Sequence, residues 1–280
     1  MSTHPDEKPS RPPVWIPLAS AADPAQVGGK AANLRRCILA GWPVPPGGVV
    51  TIDAHLRILA GEIDLTALGV AVARQLASFQ PDQVFAVRSS AEVEDSASAS
   101  FAGQFKSVLN VRQDDLPTAI MDVQGSVRNP AALRYARRLR VQAPNALAVI
   151  VQCQVNARLA GVCFTRDPVT GADDVLVEYT AGIGEAVVGG LALAADSCRF
   201  QRAPGGAVVT ADTGPHIGDA TQVAEMAIAL EATFGGPQDV EWAYDAHRLW
   251  LLQTRPITAA GGTRPGGDAA NQQSERGTTE

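Results

Sequence analysis

The segment 237–258 constrains the fold more than any other part of the chain. VEWAY (240–244) and RLWLLQTR (248–255) are β-prone runs separated by Asp245-Ala246-His247, a hairpin pattern. Side chains alternate faces along a strand, so Asp239 and Glu241 share one face and Gln253 and Arg255 share another. With pairing centred on His247, Glu241 lies opposite Gln253 and Asp239 opposite Arg255. A slip of one residue breaks both pairs. Four polar side chains gathered among Val240, Trp242, Leu249 and Leu251 leave two readings. Either the face is solvated, or it holds a Mg²⁺–phosphate site. A carboxylate and an amide oxygen suit Mg²⁺, which takes one or two protein ligands and completes its shell with phosphate and water. Arg255 beside them would neutralise phosphate.

The 280 residues allow one large domain or two small ones. At 46% hydrophobic and 19% charged, the chain has the material for a core, which excludes disorder throughout. No apolar run approaches the ~18 residues of a membrane span. The N-terminus MSTHPDEKPSRPPVW lacks the apolar stretch of a signal peptide. Lys+Arg 23 against Asp+Glu 29 gives a net charge of −6, so no nucleic-acid partner is expected. Cys37, Cys153, Cys163 and Cys198 form no CxxC pair, which argues against zinc and fits a reducing, cytoplasmic setting. Residues 1–13 and 259–280 carry no apolar periodicity and are expected to be disordered ends.

Helices and strands mix between these ends. Helical patterns cover 29–40, 64–78 (Asp64 able to cap), 130–140 (Asn129 as cap, Pro130 at the first position) and 219–234. Strand patterns cover 84–88 and 175–179, and 147–155 with 160–166 reads as a second hairpin.

Three further segments bear on chemistry. The strand ending in Arg88-Ser89-Ser90 offers a cation and hydroxyls, and the Ala/Ser-rich run through Gly103 offers backbone N–H groups for phosphate. Alone, this segment also fits a polar turn. Gly28-Gly29-Lys30 opens a helix with a lysine that opposes the helix dipole, unless phosphate binds there. Walker A spacing is not met, since Ala31 follows the lysine. Gly182-Ile183-Gly184-Glu185 lacks the third glycine of a Rossmann turn. His4, His55, His216 and His247 sit in no catalytic context, and the cysteines read as small core residues.

Taken in order, GGKAANL (28–34), AGWPVPPGGVVT (40–51), FAVRSSAEVEDSASASFAGQFKSVLNV (85–111), VIVQCQV (149–155), AGVCFTRDPVTG (160–171), AGIGE (181–185) and PQDVEWAYDAHRLWLLQTRPIT (237–258) span nearly all of 14–258. This set resembles the nucleotide-binding domain of the pyruvate phosphate dikinase, phosphoenolpyruvate synthase and rifampin phosphotransferase family. The resemblance implies an α+β, ATP-grasp fold in which two lobes, about 14–111 and 112–258, clamp ATP and Mg²⁺. It implies that Lys30 and Arg88 contact ATP phosphates and that Gly103 lies in the loop covering them. Ser107 stands near the phosphates where a threonine is usual, and Gln152 near the adenine pocket. Glu241 and Gln253 match the metal-binding pair, with Asp239 in the same nucleotide site and Arg255 a neighbouring phosphate contact. Lys30, Arg88 and Arg255 are the catalytic set.

Some positions depart from the family. Glu92 stands where a threonine is common and Lys106 where an acidic residue is common. The stretch between Lys30 and Arg88 is a few dozen residues shorter than usual. Full-length members continue into a swivelling domain with a phosphorylatable histidine, and no such motif occurs here. The resemblance therefore implies an ATP-dependent phosphotransferase component whose acceptor is a histidine on a separate phosphocarrier protein. A self-sufficient kinase or ligase acting on a small-molecule acceptor is the alternative, and a non-catalytic nucleotide-binding module is a third.

Overall fold

The computed structural model of the chain describes residues 11–76, 82–92, 95–96, 99–100, 105–139, 144–182, 196–204 and 208–257. The first sheet has the order β1-β2-β7-β3-β6. Its strands are Trp15–Pro17 (β1), Gly47–Val50 (β2), Phe85–Ser90 (β3), Ser107–Val111 (β6) and Ala148–Cys153 (β7). Among the described residues, Asp95–Ser96 (β4) and Ala99–Ser100 (β5) pair only with each other. The second sheet has the order β11-β10-β9-β8-β12-β13. It comprises Leu159–Phe164 (β8), Val175–Ala181 (β9), Asp196–Arg202 (β10), Val208–Val209 (β11), Gln238–Tyr244 (β12) and Leu249–Pro256 (β13). Every pairing is antiparallel.

The helices are Pro24–Leu39 (α1), Ile52–Leu59 (α2), Leu65–Leu76 (α3), Leu116–Gly125 (α4), Pro130–Leu139 (α5) and Ile217–Phe234 (α6). Asp64 does cap α3, accepting from the Thr66 and Ala67 amides at 2.6 and 3.2 Å. Gly235, in the left-handed region at φ 77°, ends α6.

The first sheet is covered on both faces. Leu68, Val72, Leu116 and Ile120 of α3 and α4 pack on Val87, Val149 and Val151, while Val27, Ala31 and Leu34 of α1 pack on Val49, Ala148 and Ile150. Burial on both faces is why β7 reads as a continuous apolar run. The second sheet is covered on one face by α6, where Val223, Ala227 and Leu230 meet Val177, Phe200, Val240 and Trp242. Its other face carries the polar side chains of β12 and β13.

Two expectations are corrected. The runs 147–155 and 160–166 do not form a hairpin: β7 pairs with β2 and β3, and β8 pairs with β9 and β12. Both β7 edges are already taken by first-sheet strands, so the chain crosses between sheets at 154–158. The division between sheets therefore falls there rather than near residue 112, and α4 belongs to the first sheet's core. Of the ends expected to be disordered, 1–10 and 259–280 lie outside the described residues, whereas 11–13 are described and the Pro13 carbonyl accepts from Thr51 Oγ1 at 2.8 Å.

The β8–β9 connection is ordered by Asp167. Its Oδ1 accepts from the Val169 and Thr170 amides at 2.9 and 3.0 Å, and its Oδ2 from Arg199 at 3.0 Å. The Thr170 and Val169 amides, aided by Arg199, hold its pKa down from 3.8 to about 2. The folded pKa is depressed, so this stabilisation is complete above 3.8 and is lost as pH falls toward about 2. Asp167→Asn is expected to show a smaller loss in urea midpoint than the wild type between neutral pH and that acid window.

Candidate functional site

The site lies where the end of β3, the kinked start of α1 and the inner face of β12–β13 converge. Helix α1 begins at Pro24, capped by Asp23, and not at Gly28 as the sequence suggested. Gly28 interrupts it with φ 76° and ψ 165°. A Cβ there would stand 2.1 Å from the Ser90 carbonyl oxygen, so only glycine lets β3 and α1 approach so closely. The Gly29 amide donates to the Ala91 carbonyl at 2.9 Å and the Ala31 amide to Ser90 Oγ at 3.2 Å. Protein groups thus take these two amides. Lys30 is buried at 8% exposure and is engaged by its neighbours.

The hairpin β12–β13 has the expected pairs, Glu241 opposite Gln253 and Asp239 opposite Arg255. Toward the turn the register shifts, so Trp242 faces Leu251 and Tyr244 faces Leu249. Leu252 is the extra residue of this bulge. Strict alternation would put Leu249 and Leu251 on the same face as Gln253 and Arg255. The bulge lets the leucines join the α6-covered core while the polar pair faces the cleft. It also leaves the Leu252 carbonyl to accept from Arg88 Nη1 at 3.3 Å.

Arg88 reaches across from the first sheet, its Nη2 also donating to Glu241 Oε2. The two side chains are only 12% and 11% exposed, so this is a buried cross-lobe ion pair. Arg255 donates through Nε and Nη2 to Asp239 Oδ2 at 2.9 and 2.6 Å. Burial pushes the Asp239 carboxyl up, Arg255 opposes that, and the charges of Glu241 and Glu178 add to the rise. Gln253 is buried beside Glu241. Ser107 lies opposite Arg88 in the first sheet and is exposed. Gln152 is buried at the hinge end of β7, donating to the Pro45 carbonyl at 2.8 Å. Gly103 lies outside the described residues.

Arg88, Asp239, Glu241, Gln253 and Arg255 thus come together; Lys30 follows the α1 kink that is joined to the end of β3, and Ser107 and Gln152 lie on strands flanking β3. Glu178 of β9 was missed, although the alternation in VLVEY separates it from the core-facing Val175 and Val177. The described histidines lie elsewhere. The His55 ring Nδ1 contacts the Leu147 backbone in the core, and His216 abuts Tyr179 on the α6 side of the second sheet. His247 sits in the hairpin turn. All four cysteines are free and buried. Among the described residues, no helix is long and apolar enough to cross a membrane.

Two α+β lobes meeting at a cleft rich in arginine and carboxylate define a nucleotide-binding class of domain. The model for "Pyruvate phosphate dikinase, AMP/ATP-binding domain" matches residues 64–215 and 216–276, and the chain belongs to that family. It is 32% identical to the prodigiosin synthesizing transferase PigC of Serratia marcescens, over 84% of this chain and 32% of the relative. It is 29% identical to a probable phosphoenolpyruvate synthase of Methanothermobacter thermautotrophicus, over 84% of this chain and 44% of the relative. It is 32% identical to the rifampicin phosphotransferase of Bacillus subtilis, over 74% of this chain and 27% of the relative. The chain thus spans less than half the length of these curated relatives. Among solved structures, N5-carboxyaminoimidazole synthase from Aspergillus clavatus aligns with a TM-score of 0.38 and 10% identity, over 81% of this chain and 44% of that one.

Removing one partner of a buried ion pair leaves the other charge uncompensated, at a cost of about 3 kcal/mol. Arg88→Ala is expected to lose that much in urea unfolding, and Arg88→Ala/Glu241→Gln to regain part of it. Lys106→Ala breaks the exposed Lys106–Asp122 pair and should cost under about 1 kcal/mol. Gly28→Ala combines positive φ with a backbone clash and should cost about 3 kcal/mol. Gly41→Ala, at φ 84° with open space around it, should cost about 1 kcal/mol.

Proposed function

We propose that the chain is an ATP-dependent phosphotransferase component that passes a phosphoryl group from ATP to a histidine on a separate phosphocarrier protein. The observation that carries this reading is the convergence of Arg88 and Arg255 with Asp239, Glu241 and Gln253 on one cleft between the lobes. Relatives named phosphoenolpyruvate synthase and rifampicin phosphotransferase support it. The described histidines are in the core, behind the second sheet or in a turn, so none faces this cleft. A cytoplasmic setting agrees with the free buried cysteines.

The residues present fit Mg²⁺. Glu241 and Gln253 offer one carboxylate and one amide oxygen as cross-strand neighbours, a hard-donor pair. Bound there, the ion would supply charge neutralisation on phosphate oxygens. Arg88 now neutralises Glu241, and its exchange onto phosphate would free that carboxylate for the metal. Arg255, braced by Asp239, would hold its guanidinium toward a phosphate at the same edge. Lys30, on the α1 turn tied to Ser90, would add the third cation. Phosphoryl transfer needs mainly such positioning and charge neutralisation.

Calorimetry of the purified chain with ATP, with and without EDTA, tests the reading. Binding that weakens at least tenfold in EDTA is expected, and equal affinity in both rejects the metal assignment. With γ- and β-labelled ATP, acid-labile label is expected only when a histidine-bearing protein is added. Label retained on the chain alone, and lost in His216→Ala, would overturn the separate-acceptor reading. So would direct transfer of label to a small molecule.

A further inference from the structure

Arg88 is held in the cleft at two points. Its Nη2 donates to Glu241 Oε2 and its Nη1 to the Leu252 carbonyl at 3.3 Å. Leu252 has no partner in the β12–β13 register, so the bulge supplies the second of these acceptors. Glu241 is also the carboxylate that faces Gln253 across the hairpin. The guanidinium is therefore the counter-ion of the very carboxylate that the metal reading assigns to a cation. In the same contact the carboxylate occupies the arginine that the phosphate reading assigns to an anion.

Burial makes this double occupancy consequential. The two side chains are 12% and 11% exposed, and a charge so placed is costly without an opposite charge beside it. An anion that drew Arg88 away by itself would leave Glu241 unpaired, with its charge already repelling that of Asp239. A divalent cation that took Glu241 by itself would leave Arg88 with the Leu252 carbonyl alone and a second positive charge nearby. When anion and cation arrive together, Arg88 turns to phosphate and Glu241 to metal, and each keeps an opposite charge. Arg88 stands on β3 of the first sheet and Glu241 on β12 of the second, so the exchange takes place at the contact between the lobes.

We infer that the Arg88–Glu241 pair is an autoinhibitory latch, which turns away a lone divalent cation or a lone polyphosphate and opens to the two together. The inference rests on the ATP and Mg²⁺ reading above and adds to it a regulation of the same site. A latch has a signature that plain ligands lack. Removing Glu241 should strengthen binding of the metal-free anion, because Arg88 is released. Removing Arg88 should strengthen binding of the metal alone, because Glu241 is released. Couplings between two ligands commonly lie between about fivefold and about 150-fold, so a change of about tenfold is expected for each.

The test uses the full chain and two probes: ATP in EDTA, followed by calorimetry, and Mn²⁺ alone, followed by electron paramagnetic resonance. Glu241→Gln, which keeps the shape and still accepts a hydrogen bond from Arg88, should bind metal-free ATP about tenfold more tightly than the wild type. Arg88→Gln should bind Mn²⁺ alone about tenfold more tightly. The double variant Arg88→Gln/Glu241→Gln should bind metal-free ATP no more tightly than Arg88→Gln. That comparison separates a latch from the mere loss of a negative charge, which would favour the anion whether or not Arg88 is present. A gain in affinity also cannot arise from loss of folded protein. Three results would each overturn the latch: no gain for metal-free ATP in Glu241→Gln, a gain that persists without Arg88, or Mn²⁺ bound as tightly by the wild type as by Arg88→Gln. Wild-type binding of ATP in Mg²⁺ would then leave the ATP reading standing. No such binding by the wild type would overturn both.

Discussion

The close approach of two backbones at Gly28 and Ser90 sets the geometry on which the cleft depends. With no Cβ at Gly28, the end of β3 can hydrogen-bond into α1 through Ala31 and Gly29. That contact fixes Lys30 and Arg88 relative to one another, two residues from each joint. Helix α1 then continues past the first sheet: Ala31 and Leu34 belong to that sheet's core, whereas Cys37 belongs to the core of the second. Asn33 donates to the Thr254 carbonyl at 3.4 Å, and Arg36 lies over the Phe234 ring at 4.0 Å. One helix thus serves as a shared spine that contributes to the cores of both lobes.

Across this spine the arginines and carboxylates are held in matched pairs. Asp239–Arg255 lies within one hairpin, so its geometry is set by strand register. Arg88–Glu241 joins two sheets, so its geometry is set by how the lobes dock. Buried charges tolerate such positions only when paired. Binding an anion would change the partners of both arginines, and the cross-lobe pair is the one whose exchange alters the docking of the lobes. A bound anion would therefore have to displace the protein's own counter-charges.

Much of this was legible in the sequence where a local rule decided the outcome. The alternation in 237–258 placed Glu241 against Gln253 and Asp239 against Arg255, since one polar face and one apolar face admit a single register. Asp64 and Asn129 marked helix starts because capping is local chemistry. The bulge at Leu252 was not legible from pairing alone. Yet Leu249 and Leu251 share odd numbering with Gln253 and Arg255, a conflict of polarity that a bulge resolves. The false hairpin at 147–166 arose because strand pattern does not reveal partners. β7 is apolar on both faces because helices cover both, and its edges are filled by strands distant in sequence. The extra turn at the start of α1 was missed because Gly28-Gly29 resembles a helix start, whereas the glycine answers to a contact 62 residues away.

The same limit explains why Glu178 escaped notice while Glu241 did not. Glu241 sits on a hairpin, where its partner is a few residues off and the register can be worked out from spacing. Glu178 reaches the same row only through β8, whose pairing with both β9 and β12 is a property of the whole sheet. Its strand pattern fixed the face it occupies but not which other side chains share that face. A sheet of six antiparallel strands converts residues from separate segments into one surface, and each lateral step is set by backbone hydrogen bonding at nearly constant spacing. The cleft face therefore acts as a ruler, with the Glu241–Gln253 pair at one mark and Glu178 two strands away.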